Sequence, residues 1–282
     1  MSVIATGFFD GVHLGHRSVI EALLKMSRER GEESLVLTFW PHPRAVLQND
    51  ARTLRLLTSQ DEKLALLREM GVDRVEVLPF DGAFSSLTAR EYLRDIAVGR
   101  YGASAVVLGY DNRIGSDCLG PDESVPVARE LGLETCVVGA AGSISSTRIR
   151  NLVSAGYVQE AAEMLGRPYE LRGVVVSGNQ LGRTIGFPTA NSKLYEPLKV
   201  LPAVGAYFTE VHTVGGVFNG MTNIDRNGKI ETHIFGFDSY IYGRDITIKF
   251  LRHLRDERSF GSLEELKAQL LRDKENCVVF IK

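Results

Sequence analysis

Residues 7–16 read GFFDGVHLGH, and this stretch decides the fold of the first half of the chain. It follows a short apolar run and precedes residues 15–30, which are predicted to form a helix. The order predicts a buried strand, a turn at residues 10–11, and then the helix. His13 and His16 are therefore expected at the start of the helix, where unpaired backbone N–H groups attract anions.

The two histidines suit phosphate chemistry. Imidazoles at a helix start can donate hydrogen bonds to phosphate oxygens and stabilise the charge that builds as a phosphorus centre is attacked. Glycines let the backbone approach a bulky nucleotide closely, and they stand here at Gly7, Gly11 and Gly15. The alternative is that both histidines are solvated and the glycines only form turns. The complete strand, turn and helix pattern favours the phosphate site.

Strands and helices alternate through the first half of the sequence. After the initial strand, β-branched runs preceded by plausible helices occur at residues 35–39, 74–80, 105–109 and 134–139. This alternation predicts an α/β domain with a Rossmann-like parallel sheet and helices on both faces. Ligands of such sheets bind outside the carboxyl ends of the strands, where the histidine segment is expected.

The second half changes character after a helix predicted for residues 147–165. Strand-like runs separated by glycine or charged turns follow at residues 170–178, 205–214, 215–224, 230–237 and 245–254. They predict an antiparallel β-barrel. A terminal helix is expected from its N-cap, Ser262, to about residue 276, with an apolar face of Leu263, Leu266, Leu270 and Leu271. We therefore predict two domains, residues 1–165 and residues 166–282.

Composition narrows the functional classes. The 282 residues are 44% hydrophobic, which is ample for packed cores, and the net charge of −2 argues against a nucleic-acid partner. Three isolated cysteines indicate neither a disulfide framework nor a CxxC metal site. No apolar stretch approaches the roughly 20 residues that span a bilayer. We expect a cytoplasmic protein with no membrane partner.

A second phosphate-binding motif is expected in ISSTRIR, residues 144–150. Ser145, Ser146 and Thr147 can donate hydroxyls to phosphate oxygens, and the Arg148 guanidinium can bind a phosphate through two hydrogen bonds. Taken alone, the run also fits an ordinary helix N-cap with Arg148 on a solvated face. A weaker candidate is the run PHPR from Pro41, whose histidine and arginine directly follow a predicted strand.

In the barrel half, the candidate site is GRTIGFPTAN, residues 182–191. Thr189 and Asn191 are two apart on an extended segment, so their oxygens face the same way and can ligate a Mg²⁺ that bridges ATP phosphates. Glycines can let the backbone pack over those phosphates, and they are Gly178, Gly182 and Gly186. A turn is the alternative for this segment.

Residues 13–16 resemble the HxGH signature of the nucleotidyltransferase superfamily, which transfers nucleotide monophosphates and releases pyrophosphate. Further runs resemble the bacterial bifunctional riboflavin kinase/FAD synthetase family nearly end to end: TFWPHPRAVL from Thr38, RLLTSQDEKLALL from Arg55, ISSTRIR from Ile144 and LGRTIGFPTAN from Leu181. The resemblance implies that ATP phosphorylates riboflavin to FMN in the barrel. It also implies that the first domain adenylylates FMN to FAD with release of pyrophosphate.

The resemblance also implies roles for individual residues. In the first domain the catalytic residues are His13, His16 and Arg148, and the nucleotide-binding residues are Gly7, Phe8, Asp10, Gly11, Gly15, Ser145, Ser146 and Thr147. In the barrel the ATP site includes Gly178, Gly182 and Gly186, with Thr189 and Asn191 as Mg²⁺ ligands. Glu231 is implied as the base that takes the riboflavin hydroxyl proton. Flavin contacts are implied for Asp111, Asn112, Arg255 and Arg258.

Departures from the family keep alternatives open. Asn112 and Ile114 stand where aromatic residues are more usual, and the family loop NIGxRPT is replaced after Ile224 by residues 225–228, DRNG. The altered loop allows an FMN adenylyltransferase with a kinase-impaired, flavin-binding barrel. A non-catalytic flavin-binding regulator is an alternative of another class. The first domain alone also fits a cytidylyltransferase, which leaves the barrel unexplained.

The PHPR run lies near the adenylyl-transfer site in that family. His42 and Arg44 are accordingly either phosphate contacts or surface charges on a proline-ordered loop.

Overall fold

The computed structural model describes residues 1–47, 54–178 and 181–280, and it contains two compact units, Met1–Ser146 and Thr147–Lys282. The predicted domain boundary between residues 165 and 166 stays a prediction. No helix within the described ranges has both the length and the apolar character needed to cross a membrane.

The first unit is built on five strands: β1 (Ser2–Thr6), β2 (Glu33–Trp40), β3 (Arg74–Pro79), β4 (Ala103–Gly109) and β5 (Glu134–Val138). All neighbours pair in parallel, in the order β3-β2-β1-β4-β5. The helices are α1 (Leu14–Arg30), α2 (Pro43–Leu47), α3 (Gln60–Glu69), α4 (Gly82–Ser85), α5 (Ala89–Glu91, continued by a π-helix over Tyr92–Arg100) and α6 (Pro121–Glu130). The predicted α/β domain with a parallel sheet is confirmed.

Helices cover both faces of this sheet, and each face has its own apolar core. Ile4 of β1 packs with Leu35 and Leu37 on one face, while Val3 and Ala5 pack on the other. Every residue of β1 is buried, as expected for a central strand of a doubly covered sheet. Because β2 and β4 lie on opposite sides of β1, the carboxyl end of β1 opens at the point where the strand order reverses.

The second unit is a closed antiparallel barrel of β6 (Tyr169–Val176), β7 (Ala190–Leu194), β8 (Gly205–Thr213), β9 (Gly216–Ile224), β10 (Ile230–Ile234) and β11 (Asp245–Asp256). Around the barrel the order is β10-β7-β6-β11-β8-β9. Its helices are α7 (Ser146–Ser154), which begins on the last residue of the first unit, α8 (Val158–Leu165), α9 (Leu181–Thr184) and α10 (Leu263–Val278). The predicted barrel and terminal helix are confirmed, with β7 as a sixth strand that the polar run ANSKL did not indicate.

The single helix predicted for residues 147–165 is wrong, because two helices occupy this range. Gly156 has a φ of +86°, which a right-handed helix cannot accommodate. A Cβ there would also lie 3.3 Å from the Ala203 Cβ. The chain therefore turns between α7 and α8, and α8 packs against β6 and β11.

The buried face of α10 differs from the predicted leucine stripe. Ser262 is the N-cap as predicted, and its side chain accepts a hydrogen bond from the Glu265 N–H. Leu263 and Leu271 are exposed, whereas Leu266 and Leu270 pack against the core. The buried positions of the helix are Gln269, Asp273 and Cys277.

Inside the barrel, three buried threonines form a chain of hydroxyls across neighbouring strands. The Thr209 Oγ1 lies 2.9 Å from the Thr222 Oγ1, which lies 2.9 Å from the Thr232 Oγ1. The Thr209 hydroxyl donates to the Gly220 carbonyl. Strands β8, β9 and β10 are thus joined by side chains as well as by their backbone ladder.

Candidate functional sites

The turn after β1 adopts a strained backbone. Phe9 and Val12 have φ values of +56° and +39°, in the left-handed region that non-glycine residues rarely occupy. The buried Asp10 carboxylate holds this turn, since it accepts hydrogen bonds from the Leu57 N–H at 2.9 Å and the Thr58 N–H at 3.1 Å. Asp10 therefore fixes the backbone that carries the predicted nucleotide site.

His13 and His16 meet at the start of α1, as the sequence indicated. His13 is the N-cap, and its Nδ1 accepts a hydrogen bond from the His16 N–H at 3.2 Å. The two rings stack with centroids 3.6 Å apart and an interplanar angle of 15°. Gly15 permits this stacking, because a Cβ at this position would come within 3.3 Å of the His13 ring. The structure thus presents two adjacent imidazoles beside a helix N-terminus.

His16 is held in its neutral form. Burial first, and then the charges of His13 and Lys63, keep the pKa of His16 well below its usual range. Its Nδ1 is buried and has no hydrogen-bond partner among the described residues. At neutral pH the imidazole can therefore act on a phosphate as a hydrogen-bond donor rather than as a cation.

Lys63 of α3 is a charged member of this site that the sequence interpretation missed. Its Nζ donates to the Phe8 carbonyl at 3.1 Å and to the Thr38 Oγ1 at 2.9 Å, and it lies 4.0 Å above the Phe8 ring. Burial lowers the pKa of Lys63 to about 8, opposed in part by Asp10. The sequence did hold one indication that Lys63 is buried. It lies four residues before Leu67, and this spacing places both side chains on the buried face of α3.

The ring of Phe8 connects the turn to the PHPR run. Its centroid lies 4.1 Å from that of His42, whose Nδ1 accepts a hydrogen bond from the Arg44 N–H. His42 therefore lies beside the turn after β1, while Arg44 is exposed to solvent.

The second motif reaches the first through Ser146. Its hydroxyl donates to the Asp10 carbonyl at 2.9 Å. Ser145 is half-buried, and Thr147 and Arg148 are exposed at the start of α7. The roles predicted for these residues remain predictions.

The loop after β4 approaches the end of β1. The Asn112 side-chain amide donates to the Thr6 carbonyl at 2.7 Å, whereas Asp111 is exposed. Asn112 thus satisfies the last carbonyl of β1 at the switch point, and its predicted flavin contact is untested.

In the barrel, strand pairing brings Glu231 and Asn191 together. They lie directly opposite each other on β10 and β7, so their side chains share the outer face of the barrel. Asn223 of β9 is opposite Glu231 on the other side. The Glu231 carboxylate is partly exposed and lies 2.6 Å from the Lys229 Nζ. A carboxylate and two amides therefore lie in one row across three strands.

The Asn191 side chain fits the role of a metal ligand. It is 5% exposed, and its Oδ1 has no hydrogen-bond partner among the described residues. A carbonyl-type oxygen of this kind is a hard donor, which suits Mg²⁺. No cluster of three His, Cys, Asp or Glu side chains that could hold a metal occurs in the described residues. The fit therefore rests on amide and hydroxyl oxygens, with the half-buried Thr189 two residues away.

The predicted glycines have distinct steric roles. A Cβ on Gly178 would lie 2.1 Å from the Asn191 Nδ2, so a side chain there would displace the amide. A Cβ on Gly182 would lie 2.2 Å from the Phe187 carbonyl oxygen. Gly186 has a φ of +86°. The missing side chain lets Gly178 lie close to Asn191 and lets Gly182 lie close to the Phe187 carbonyl.

His233 attaches the same segment to β10. Its Nδ1 lies 2.8 Å from the Pro188 carbonyl, and its ring centroid lies 5.1 Å from that of Phe187. Burial lowers the pKa of His233, so the ring is neutral at pH 7 and donates to the carbonyl. The residues before Thr189 are therefore fixed to the strand that carries Glu231.

The loop that differs from the family is a self-contained turn. The Asp225 N–H donates to the Lys229 carbonyl at 3.1 Å, and the Asp225 Oδ1 accepts from the N–H groups of Asn227 and Lys229 at 2.8 Å each. This turn directs β10 back along β9 and places Lys229 beside Glu231.

Arg255 is engaged with the terminal helix. Its Nη2 lies 2.8 Å from the Asp273 Oδ2, and the two side chains are only 13% and 3% exposed. The Gln269 amide donates to the same carboxylate. Arg255 thus anchors α10 to the end of β11, while Arg258 is exposed.

A histidine pair at the carboxyl edge of a parallel sheet and a carboxylate beside a buried amide on a closed barrel fit a nucleotide-dependent transferase with two sites. The family model described as FAD synthetase matches residues 1–150, and the one described as riboflavin kinase matches residues 165–281. The chain belongs to the bifunctional riboflavin kinase/FMN adenylyltransferase family.

Individual relatives are similar over nearly their whole length. The bifunctional riboflavin kinase/FMN adenylyltransferase of Listeria monocytogenes is 34% identical over 99% of this chain and 92% of its own. The enzyme of the same description from Escherichia coli K12 is 35% identical over 96% of this chain and 90% of its own. A crystal structure described as a macrolide-efflux protein from Streptococcus pneumoniae matches with a TM-score of 0.88, at 33% identity over 97% of this chain and 92% of that one.

Proposed function

We propose that this chain is a two-site enzyme that makes FAD from riboflavin. The barrel transfers the γ-phosphate of ATP to riboflavin, which gives FMN and ADP. The first unit then joins FMN to the adenylyl group of a second ATP, which gives FAD and pyrophosphate. The observation that carries the proposal is that each family model falls on a unit with a fitting side-chain pair, His13 with His16 and Asn191 with Glu231.

In the adenylyl step, an FMN phosphate oxygen attacks the α-phosphorus of ATP. The new P–O bond forms as the bond to pyrophosphate breaks, and no covalent enzyme intermediate is needed. His13 and His16 would donate hydrogen bonds to the phosphate oxygens as charge builds on them. Arg148 and the hydroxyls of residues 145–147 would hold the remaining phosphate charge.

The loop after β4 would border the flavin. We propose that Asp111 and Asn112 contact it in the first unit. Asn112 already has its amide fixed on the end of β1, and this would make its carbonyl oxygen an acceptor in a defined position.

In the kinase step, Glu231 would take the proton of the riboflavin primary hydroxyl as its oxygen attacks the γ-phosphorus. Thr189 and Asn191 would hold Mg²⁺, which when bound neutralises charge on the ATP phosphates. The glycines of residues 178–186 would allow the phosphates to approach the backbone. Arg258 would contact the flavin, and Arg255 would act through the helix it anchors.

We further propose residues 1–165 and 166–282 as the functional domains. The partners would be riboflavin, FMN and ATP, without nucleic acid or membrane. A cytoplasmic location is supported by the free thiols of Cys118, Cys136 and Cys277, which suit a reducing compartment.

Purified protein incubated with ATP and Mg²⁺ tests the proposal, with one reaction started from riboflavin and one from FMN. Chromatography of the flavins should show FAD in both. FAD from FMN alone would support the second candidate, an adenylyltransferase with a kinase-impaired barrel, which the altered turn at Asp225 favours. No product in either reaction would overturn the assignment as an enzyme.

A further inference from the structure

Lys63 lies beneath the turn that carries the histidine pair. Its Nζ donates to the Phe8 carbonyl and the Thr38 Oγ1, and the Thr38 hydroxyl itself donates to the Phe8 carbonyl at 3.2 Å. Lys63 and Thr38 are at most 1% exposed. This three-membered network binds the main chain where it leaves β1 and enters the left-handed turn.

An ammonium group is an unusual choice for a position as buried as that of Lys63. In the described part of the chain, Lys63 forms no ion pair within 4.0 Å, and its buried charge is offset by dipoles, by the face of the Phe8 ring and by the more distant Asp10. Burying such a charge is unfavourable, and an apolar side chain of similar length would avoid that cost. Charged groups kept in these surroundings are typical of functional sites.

We propose that Lys63 is a positioning residue for adenylyl transfer, which fixes the turn after β1 so that His13 and His16 point their rings at the substrate phosphates. The inference rests on the proposed function of the first unit. Lys63 contacts the main chain of Phe8 and not the reacting atoms, so it acts through the turn that it holds.

The charge of Lys63 also acts on its neighbours. The groups near this region are Asp10 from the turn, His13 at the N-cap of α1, His16 within α1, and His42 beyond the Phe8 ring. The positive charge disfavours a second cation on His16, and this keeps the imidazole neutral. Since the pKa of Lys63 is about 8, the network loses its charge as the pH rises above that value.

The test measures FMN adenylylation from pH 6 to 9.5 for wild type, K63M, K63R and the matched control K25M, whose lysine is exposed on α1. Riboflavin phosphorylation by the same samples calibrates the enzyme concentration.

We expect K63M to lower kcat for adenylylation by about 10²-fold with little change in KM, because the catalytic groups are misplaced. The wild type should lose activity above about pH 8 as Lys63 deprotonates. K63R should recover part of kcat and lack that alkaline loss, because arginine stays charged.

K63M activity equal to that of K25M, or a K63R profile with the same alkaline loss as the wild type, would overturn the inference. If K63M lacks the unfolding transition of the first unit, the T38V variant is used as the test instead. T38V keeps the charge of Lys63 and removes one of the two oxygens that accept hydrogen bonds from its Nζ. A kcat for T38V equal to the wild-type value would then overturn the inference. A wild type that forms FMN from riboflavin but no FAD from FMN would instead contradict the proposed function of the first unit, and the inference would fall with it.

Discussion

The two candidate sites are built in opposite ways. In the first unit the candidate side chains follow the end of β1, on a turn with strained residues such as Phe9, and buried polar groups hold this turn. In the barrel, Glu231 and Asn191 lie within a regular ladder, where strand register alone sets them side by side. The site in the first unit therefore depends on a few buried contacts, and the site in the barrel depends on the pairing of whole strands.

The two sites also differ in the chemistry that their side chains suit. The neutral His16 imidazole and a buried lysine suit the stabilisation of phosphate charge, whereas a partly exposed carboxylate suits the removal of a proton. Substitutions at one site should therefore leave the reaction at the other unchanged.

The largest separation is expected from E231Q. Loss of the base should slow FMN formation from riboflavin by about 10²–10⁴-fold, while FAD formation from FMN keeps its wild-type rate. Steady-state rates for both reactions check this, with E210Q on β8 as a matched barrel glutamate. Equal losses in E231Q and E210Q would show that Glu231 is not the base.

The converse separation is expected from H16A. Removing one hydrogen-bond donor to the reacting phosphate should slow FMN adenylylation by about 10²–10³-fold and leave riboflavin phosphorylation unchanged. The same two assays measure it, and H212A, which removes a histidine of the barrel, serves as control. A fall in both activities would contradict the independence of the two sites.

Stability should separate the units as well. D273A leaves the Arg255 charge almost buried and without its carboxylate partner, so the free energy of unfolding of the barrel should fall by about 3–5 kcal/mol. Urea denaturation followed by a barrel-specific probe measures this. E257A, which breaks the exposed pair with Arg226, should cost at most about 1 kcal/mol. Similar losses in the free energy of unfolding for D273A and E257A would mean that the burial of the Arg255–Asp273 pair does not affect stability.

The smallest effect concerns Asn191. G178A places a methyl group against the Asn191 amide and should displace it. We expect this to weaken ATP binding by about 1.4 kcal/mol, which corresponds to an increase of about tenfold in the kinase KM for ATP. G215A, in the turn between β8 and β9, is the control for a glycine with positive φ and should leave this KM unchanged. An unchanged KM in G178A would indicate that Asn191 does not help hold ATP.

Local patterns were sufficient for most of the architecture. Alternating β-branched runs and helices predict the parallel sheet, and glycine-separated strands predict the barrel, because both signals lie within a few neighbouring residues. The start of α1 was also predictable, because an apolar run, a glycine turn and a histidine pair follow one another in the sequence. Glu231 and Asn191 were each predicted as site residues, but their position side by side was not predicted, because it depends on the register between distant strands.

What local patterns missed depends on tertiary contacts. Lys63 looks like an ordinary helix-surface lysine until β2 and the turn after β1 close over it. The break at Gly156 and the exposure of Leu263 depend on what packs against each helix. The strand β7 is short and polar, and its pairing with β6 and β10 is what makes it a strand.

The threonine hydroxyls inside the barrel have a consequence for the face opposite them. Side chains alternate along β10, so a shift of one residue would turn Thr232 outward and carry Glu231 into the apolar interior. Such a shift would break the chain of Thr209, Thr222 and Thr232 and bury an unpaired carboxylate in the same movement. A shift in the register of β10 is therefore unfavourable for two reasons. The interior hydroxyls help to fix the position of the Glu231 carboxylate, although they do not contact it.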